Sequence, residues 1–238
     1  MTVKNVQLSP VRNYHYVIVG FAEFKEVLKK IKKALQYYRF QPLPKKRIVE
    51  TYYDNEYKML SDAGIVLSKS VTKKDTYFNI RRLSRVLDRK TLKNRIETKC
   101  LPDDHPRNYS VEIADAIAKM FSSSLTIDIE NIVKKTSPII DVGINKAPYE
   151  LICGTGYRAK LTYEEVYYRD IATGKKIFQE CVCLTTPDED CAETQEILKA
   201  IERHAPAFIM YQESRFEFAQ KLLYAQADNL VDDQPMED

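Results

Sequence analysis

The stretch Thr51-Tyr52-Tyr53-Asp54-Asn55-Glu56, then Leu60, then Ala63-Gly64-Ile65-Val66-Leu67-Ser68-Lys69-Ser70, followed by Arg81 and by Arg95-Ile96-Glu97, decides how this chain is read. Aromatic and β-branched residues up to Asp54 predict a strand over 46–54. Asn55 to Asp62 predicts a short helix or turn that ends before Gly64, and strands follow near 64–72, 75–83 and 92–100. Side chains alternate across a strand, so period two assigns faces. Tyr77, Asn79 and Arg81 share one face. Lys93, Arg95, Glu97 and Lys99 share another, opposite Ile96 and Thr98.

Outward from that stretch, 14–21 reads as a first strand and 21–35 as an amphipathic helix. Phe21, Phe24, Leu28, Ile31 and Leu35 line one side of that helix, with Lys25, Lys29, Lys32 and Lys33 on the others. Pro42 and Pro44 close this unit. A helix is predicted over 109–121 with Val111, Ala114, Ile117, Ala118 and Phe121 inward, and a short one over 126–135. Strands resume near 138–145, 148–153, 157–169 and 176–185, the last two joined by the Ala172-Thr173-Gly174-Lys175 hairpin turn. On the strand over 157–169, Arg158, Lys160, Thr162 and Glu164 share a face. Two helices are predicted over 191–204 and 207–226, split at Pro206. The segments divide as a tunnel-like barrel over 1–190, a helical extension over 191–227 and a disordered acidic tail over 228–238.

Composition sets bounds. The chain is 238 residues, long enough for a full core, and 44% apolar with 30% charged, which is globular rather than disordered. Its net charge of +3 is too small to argue for nucleic acid by itself. No apolar run approaches the roughly 20 residues of a membrane helix, and Met1 to Arg12 lacks the apolar core of a secretory signal. Five cysteines without a Cys-x-x-Cys pair, and three histidines, argue against a zinc site or a disulfide framework. An intracellular, reducing compartment is the expectation. Cys181 and Cys183 read as apolar packing, the lysines of 25–33 with Lys45, Lys46 and Arg47 as a solvated face, and Ile197, Leu198, Ile201, Phe208 and Phe216 as core or partner-helix packing.

Any one of these polar faces reads as an ordinary solvated sheet surface; their recurrence on separate strands, with helices available to cover the outside, points to the alternative, a barrel whose interior gathers cations. Arg and Lys suit phosphate oxygens there. At these residues the chain resembles the CYTH superfamily, the triphosphate-tunnel fold of class IV adenylate cyclases, thiamine triphosphatases and inorganic triphosphatases, shared by fungal and viral RNA triphosphatases. The match is strongest over 51–67, and Leu161-Thr162-Tyr163-Glu164-Glu165-Val166 with Phe178-Gln179-Glu180-Cys181-Val182-Cys183-Leu184 resembles the closing strands. The departures are many. Residues 14–20 lack the opening Glu-x-Glu-x-Lys, and Ser68 and Ser70 replace an Arg-x-Arg. A basic pair is missing near Gly143 and Asn145. The final Glu-x-Glu-x-Glu keeps only Glu180, with Val182 and Leu184 after it.

The resemblance implies an α+β protein: an antiparallel β-barrel with covering helices and a C-terminal helical extension. It implies a phosphate-rich ligand, such as a nucleoside triphosphate, an RNA 5′-triphosphate or inorganic triphosphate, bound by Arg81, Lys93, Arg95, Lys99, Arg158 and Lys160. Residual catalysis would rest on Glu97, Glu164 and Glu180, holding Mg2+ or Mn2+. Three readings stay open: a binding protein with hydrolysis weakened or lost, an active metal-dependent triphosphatase, and a non-catalytic interaction protein whose interior is filled by salt bridges. The C-terminal helices are the surface expected for a protein partner or homo-oligomer.

Overall fold

The computed structural model describes residues 11–20, 23–83, 95–121, 127–187, 191–211 and 213–224. One antiparallel ten-stranded sheet organises them. In chain order the strands are β1 (Val11–Ile18), β2 (Tyr38–Pro42), β3 (Lys46–Asp54), β4 (Ile65–Val71), β5 (Thr76–Arg82), β6 (Arg95–Lys99), β7 (Ser137–Cys153), β8 (Arg158–Asp170), β9 (Lys176–Pro187) and β10 (Phe208–Tyr211). Their spatial order is β10-β1-β9-β8-β7-β3-β4-β5-β6, with β2 also on β7. The helices are α1 (Phe24–Ala34), α2 (Met59–Asp62), α3 (Ser110–Phe121), α4 (Ile129–Lys134), α5 (Ala192–His204) and α6 (Arg215–Tyr224).

The expected α+β class is present, but the sheet is not closed into a barrel: among the described residues no ladder joins β6 to β10. The two strands predicted over 138–145 and 148–153 are one seventeen-residue strand, β7. Its first half pairs with β3 and its second with β2. β2 has no counterpart in the sequence reading, because Pro42 and Pro44 at its end read as a stop rather than as an edge. The helix expected over 207–226 is instead a strand and a helix. Phe208–Tyr211 is too rich in β-formers to stay helical when β1 offers a free edge, and Tyr211 falls opposite His15.

Three apolar clusters fix which face is which. On the outer face, α1 and α5 lie over β1, β2, β7, β8 and β9, burying Tyr14, Ile31, Leu151, Leu161, Leu184 and Ile197. Also outside, α3 and α4 cover β3 to β5 through Leu67, Phe78, Ile80, Ile113 and Ile117. The inward side of α3 differs from expectation: Ile113 and Ala116 are buried while Val111 is 53% exposed. The opposite, inner face carries Tyr52, Ile140, Val142, Val166 and Tyr168, and α6 packs on it through Phe216, Ala219 and Leu223.

The diagnostic Tyr-Tyr-Asp ending is a structural device. Asp54, buried at the end of β3, accepts from the backbone N–H groups of Asn55, Leu60 and Ser61 and from the Ser61 hydroxyl. Asn55 Oδ1 accepts from Tyr57 and Met59. These bonds satisfy donors at the start of α2 that the helix itself leaves open. Lys58 takes the left-handed conformation at φ 55° and Gly64 follows at φ 73°, which turns the chain back into β4.

Candidate functional site

Period two carries the sheet's polar positions onto the inner face. From β3 come Lys46 and Glu50, from β4 Ser68 and Ser70, and from β5 Asn79 and Arg81. β7 supplies Lys146, β8 supplies Lys160 and Glu164, and β1 supplies His15. The register sets Lys46 opposite Lys146, and Lys146 opposite Glu164. In the middle lies a chain of ion pairs. Arg81 reaches Glu50 at 3.2 Å, and Lys146 reaches Glu164 at 2.8 Å. Arg215, the first residue of α6, bridges the two carboxylates, at 2.5 Å to Glu164 and 3.9 Å to Glu50. Glu50 also accepts from the Tyr52 hydroxyl at 2.9 Å and from Ser70, which in turn accepts from Asn79 at 2.7 Å.

Burial alone would raise the Glu50 carboxyl, yet Arg81, Arg215 and Tyr52 hold it down at about 2. Burial likewise opposes ionisation of Glu164, and Arg215 and Lys146 hold it at about 2. Both are therefore carboxylates at neutral pH. His15 goes the other way: burial lowers it, Arg215 lowers it further, and it falls to about 4, a neutral imidazole at pH 7. Among these groups three cations, Arg81, Lys146 and Arg215, face two carboxylates. The Nε atoms of Arg81 and Arg215, the Tyr168 hydroxyl and Ser68 Oγ are buried and lack a hydrogen-bond partner among the described residues. The cysteines Cys181 and Cys183 share this face, but burial pushes their thiols up to about 12 and about 11, which keeps them protonated and inert.

The sequence-predicted residues are placed as follows. Arg81 and Glu164 meet in the cluster. Glu97 lies on the same face beside Asn79 but is exposed, and Arg95 pairs in register with Arg81. Lys99 is exposed and bonds Asp75 at 3.0 Å. Arg158 and Lys160 lie on the inner face toward the start of β8, both exposed, with Arg158 paired to Glu150 at 3.1 Å. Lys93 falls outside the described residues. Glu180 is on the outer face, where it accepts from the Tyr163 hydroxyl, so it does not converge with Glu97 and Glu164. The reason is register. The inner positions of β9 are Cys181, Cys183 and Thr185, not Glu180, Val182 and Leu184. The same one-residue slip hid Lys146: the inner positions of β7 are Val142, Ile144 and Lys146, not Gly143 and Asn145. Glu50 and Arg215 were not singled out in the sequence at all. Alternation through Ile48, Glu50 and Tyr52 carried a signal for the first; nothing local marked the second.

A divalent cation does not fit this set. Glu50 and Glu164 are each engaged by two cationic side chains, and no group of three or more His, Cys, Asp or Glu side chains clusters among the described residues.

No family model and no curated protein sequence matches the chain. Solved structures do. HpAC1 from Hippeastrum, described as a candidate adenylyl cyclase with a dominant triphosphatase activity, aligns over 89% of this chain and 95% of its own, at 9% identity and a TM-score of 0.51. The chain has a CYTH-type fold. A candidate adenylate cyclase from Bacillus halodurans, bh2851, aligns over 89% of this chain and 96% of its own at 11% identity, with a TM-score of 0.49. Within that fold, the inner face described above carries the buried carboxylates Glu50 and Glu164. No helix among the described residues is long and apolar enough to cross a membrane.

Proposed function

We propose that this chain binds a phosphate-bearing anion on the inner face of its CYTH-type sheet and does so without metal-dependent hydrolysis. The observation that carries the reading is an under-neutralised cluster. Among the described residues three cations face two carboxylates, and both arginines keep an Nε–H without an acceptor. Arg81 and Lys146 are the contacts a ligand would reach, with side chains 28% and 24% exposed. Guanidinium and ammonium groups in a partly dry setting favour phosphate oxygens strongly. The exposed Lys46, Lys160 and Arg39 continue the positive charge along the same face and would attract an anion toward it. Hydrolysis by a metal-activated water needs free carboxylates, and here they are occupied by Arg81, Lys146 and Arg215.

Thermal melting in EDTA with inorganic triphosphate, pyrophosphate, ATP and a 5′-triphosphorylated RNA oligonucleotide tests the proposal, with chloride at matched ionic strength as control. A ligand at 100 times its Kd stabilises the folded state by about 2.7 kcal/mol, a rise of roughly 5–10 °C for a chain of this size. The rise should disappear in Arg81→Ala. The reading fails if no phosphate compound moves the midpoint. The Arg215 bridge itself favours a second reading, an interaction protein whose interior is sealed by its own salt bridges. That reading expects the flat result.

A further inference from the structure

Two buried carboxylates close together demand a cation, because each raises the other's cost of ionisation. Here the cation arrives on a helix. Glu50 and Glu164 have side chains only 6% and 3% exposed, and the guanidinium between them belongs to Arg215, itself 13% exposed. The start of α6 is built to hold it there. Ser214 and Glu217 form a reciprocal cap, the Ser214 N–H donating to the Glu217 carboxylate at 2.9 Å and the Glu217 N–H donating to Ser214 Oγ at 3.2 Å. Next to Arg215, Phe216 packs on Tyr52 with ring centroids 5.1 Å apart, and Ala219 and Leu223 bury the following turns. A planar fork can engage two carboxylates at once, a task otherwise suited to a divalent ion.

We propose that Arg215 is this protein's own counter-cation: α6 delivers a tethered guanidinium that bridges Glu50 and Glu164 in the role a divalent metal would otherwise fill, so the charged centre is complete without metal. This concerns the same cluster as the anion reading but does not need an anion to bind. A flat response to phosphate would leave it standing, and metal binding at these carboxylates would overturn it alone.

The experiment compares the full chain with Arg215→Ala. The wild type should show no saturable Mn2+ binding by electron paramagnetic resonance, and 5 mM Mn2+ should leave its melting midpoint unmoved. Arg215→Ala leaves two buried carboxylates short of a partner and should melt roughly 6–20 °C lower. Guanidinium ion at 20 mM should restore part of that loss, whereas neutral urea of the same shape at 20 mM should not. The rescue should vanish in Arg215→Ala/Glu164→Gln. Saturable Mn2+ binding by the wild type that Glu164→Gln abolishes overturns the proposal, and so does an Arg215→Ala protein that guanidinium fails to rescue. Should Arg215→Ala not fold, Arg215→Lys and Arg215→Gln replace it. A lysine variant more stable than the glutamine variant supports a counter-cation, and equal stability refutes it.

Discussion

Acidification between pH 7.5 and pH 5 should weaken this protein through His15. The imidazole sits on the inner face within the field of Arg215, Lys146 and Arg81, with Glu164 opposing them, and its ring centroid is 5.7 Å from that of Tyr211. Its folded-state value of about 4 lies below the ordinary 6.5. A depressed value means stability that is present above pH 6.5 and lost as the pH falls through the window down to about 4, because the unfolded chain takes the proton first. At pH 5 those two values correspond to roughly 2 kcal/mol. The ring is partly open to water, so about 1–2 kcal/mol is the expected loss. With a urea m value on the order of 3 kcal/mol/M, the denaturation midpoint should fall by about 0.3–0.7 M. His15→Asn removes the titration, so its midpoint should stay level over the same range apart from changes common to both proteins. Wild-type and variant midpoints that run parallel from pH 7.5 to pH 5 would refute the argument that burial, helped by the charge of Arg215, keeps His15 neutral.

Glu164→Gln leaves Lys146 and Arg215 facing a neutral amide and should cost roughly 3–5 kcal/mol at pH 7 by urea denaturation. Because Glu50 and Glu164 ionise at about 2, their stabilising share should hold down to about pH 4.5 and decline only below it. Glu180→Gln alters a single outer-face bond to Tyr163; it should change stability by less than about 1.5 kcal/mol and leave any triphosphate-induced shift in midpoint intact. Asp54→Ala strips the acceptor from three backbone donors and one hydroxyl, so a loss of about 2 kcal/mol or more is expected, with no change in ligand response at temperatures where the protein is folded.

Much of the scaffold was legible because its signals are local. The run from Thr51 to Ser70 gave two strands and the crossing turn, and alternation placed Arg81 and Glu164 on the correct face. What was lost turned on register. A strand has two faces, so an error of one residue exchanges them; that is how Lys146 was overlooked and Glu180 overvalued. Edge elements were also hard to read. β2 ends at Pro42, and β10 is four residues long, so neither carries enough pattern to outweigh its neighbours. Arg215 was invisible for a different reason. Its significance lies entirely in Glu50 and Glu164, which are distant in sequence, and contacts of that kind leave no periodic trace.

The position of α6 behind all ten strands has a kinetic corollary. During synthesis the ribosome completes both carboxylates and all ten strands before it reaches Arg215, so Glu50 has only Arg81 and Glu164 only Lys146 until this last charge docks. Closure of that final helix should therefore be a separate, late event whose rate falls with added salt, as expected for an approach guided by opposite charges.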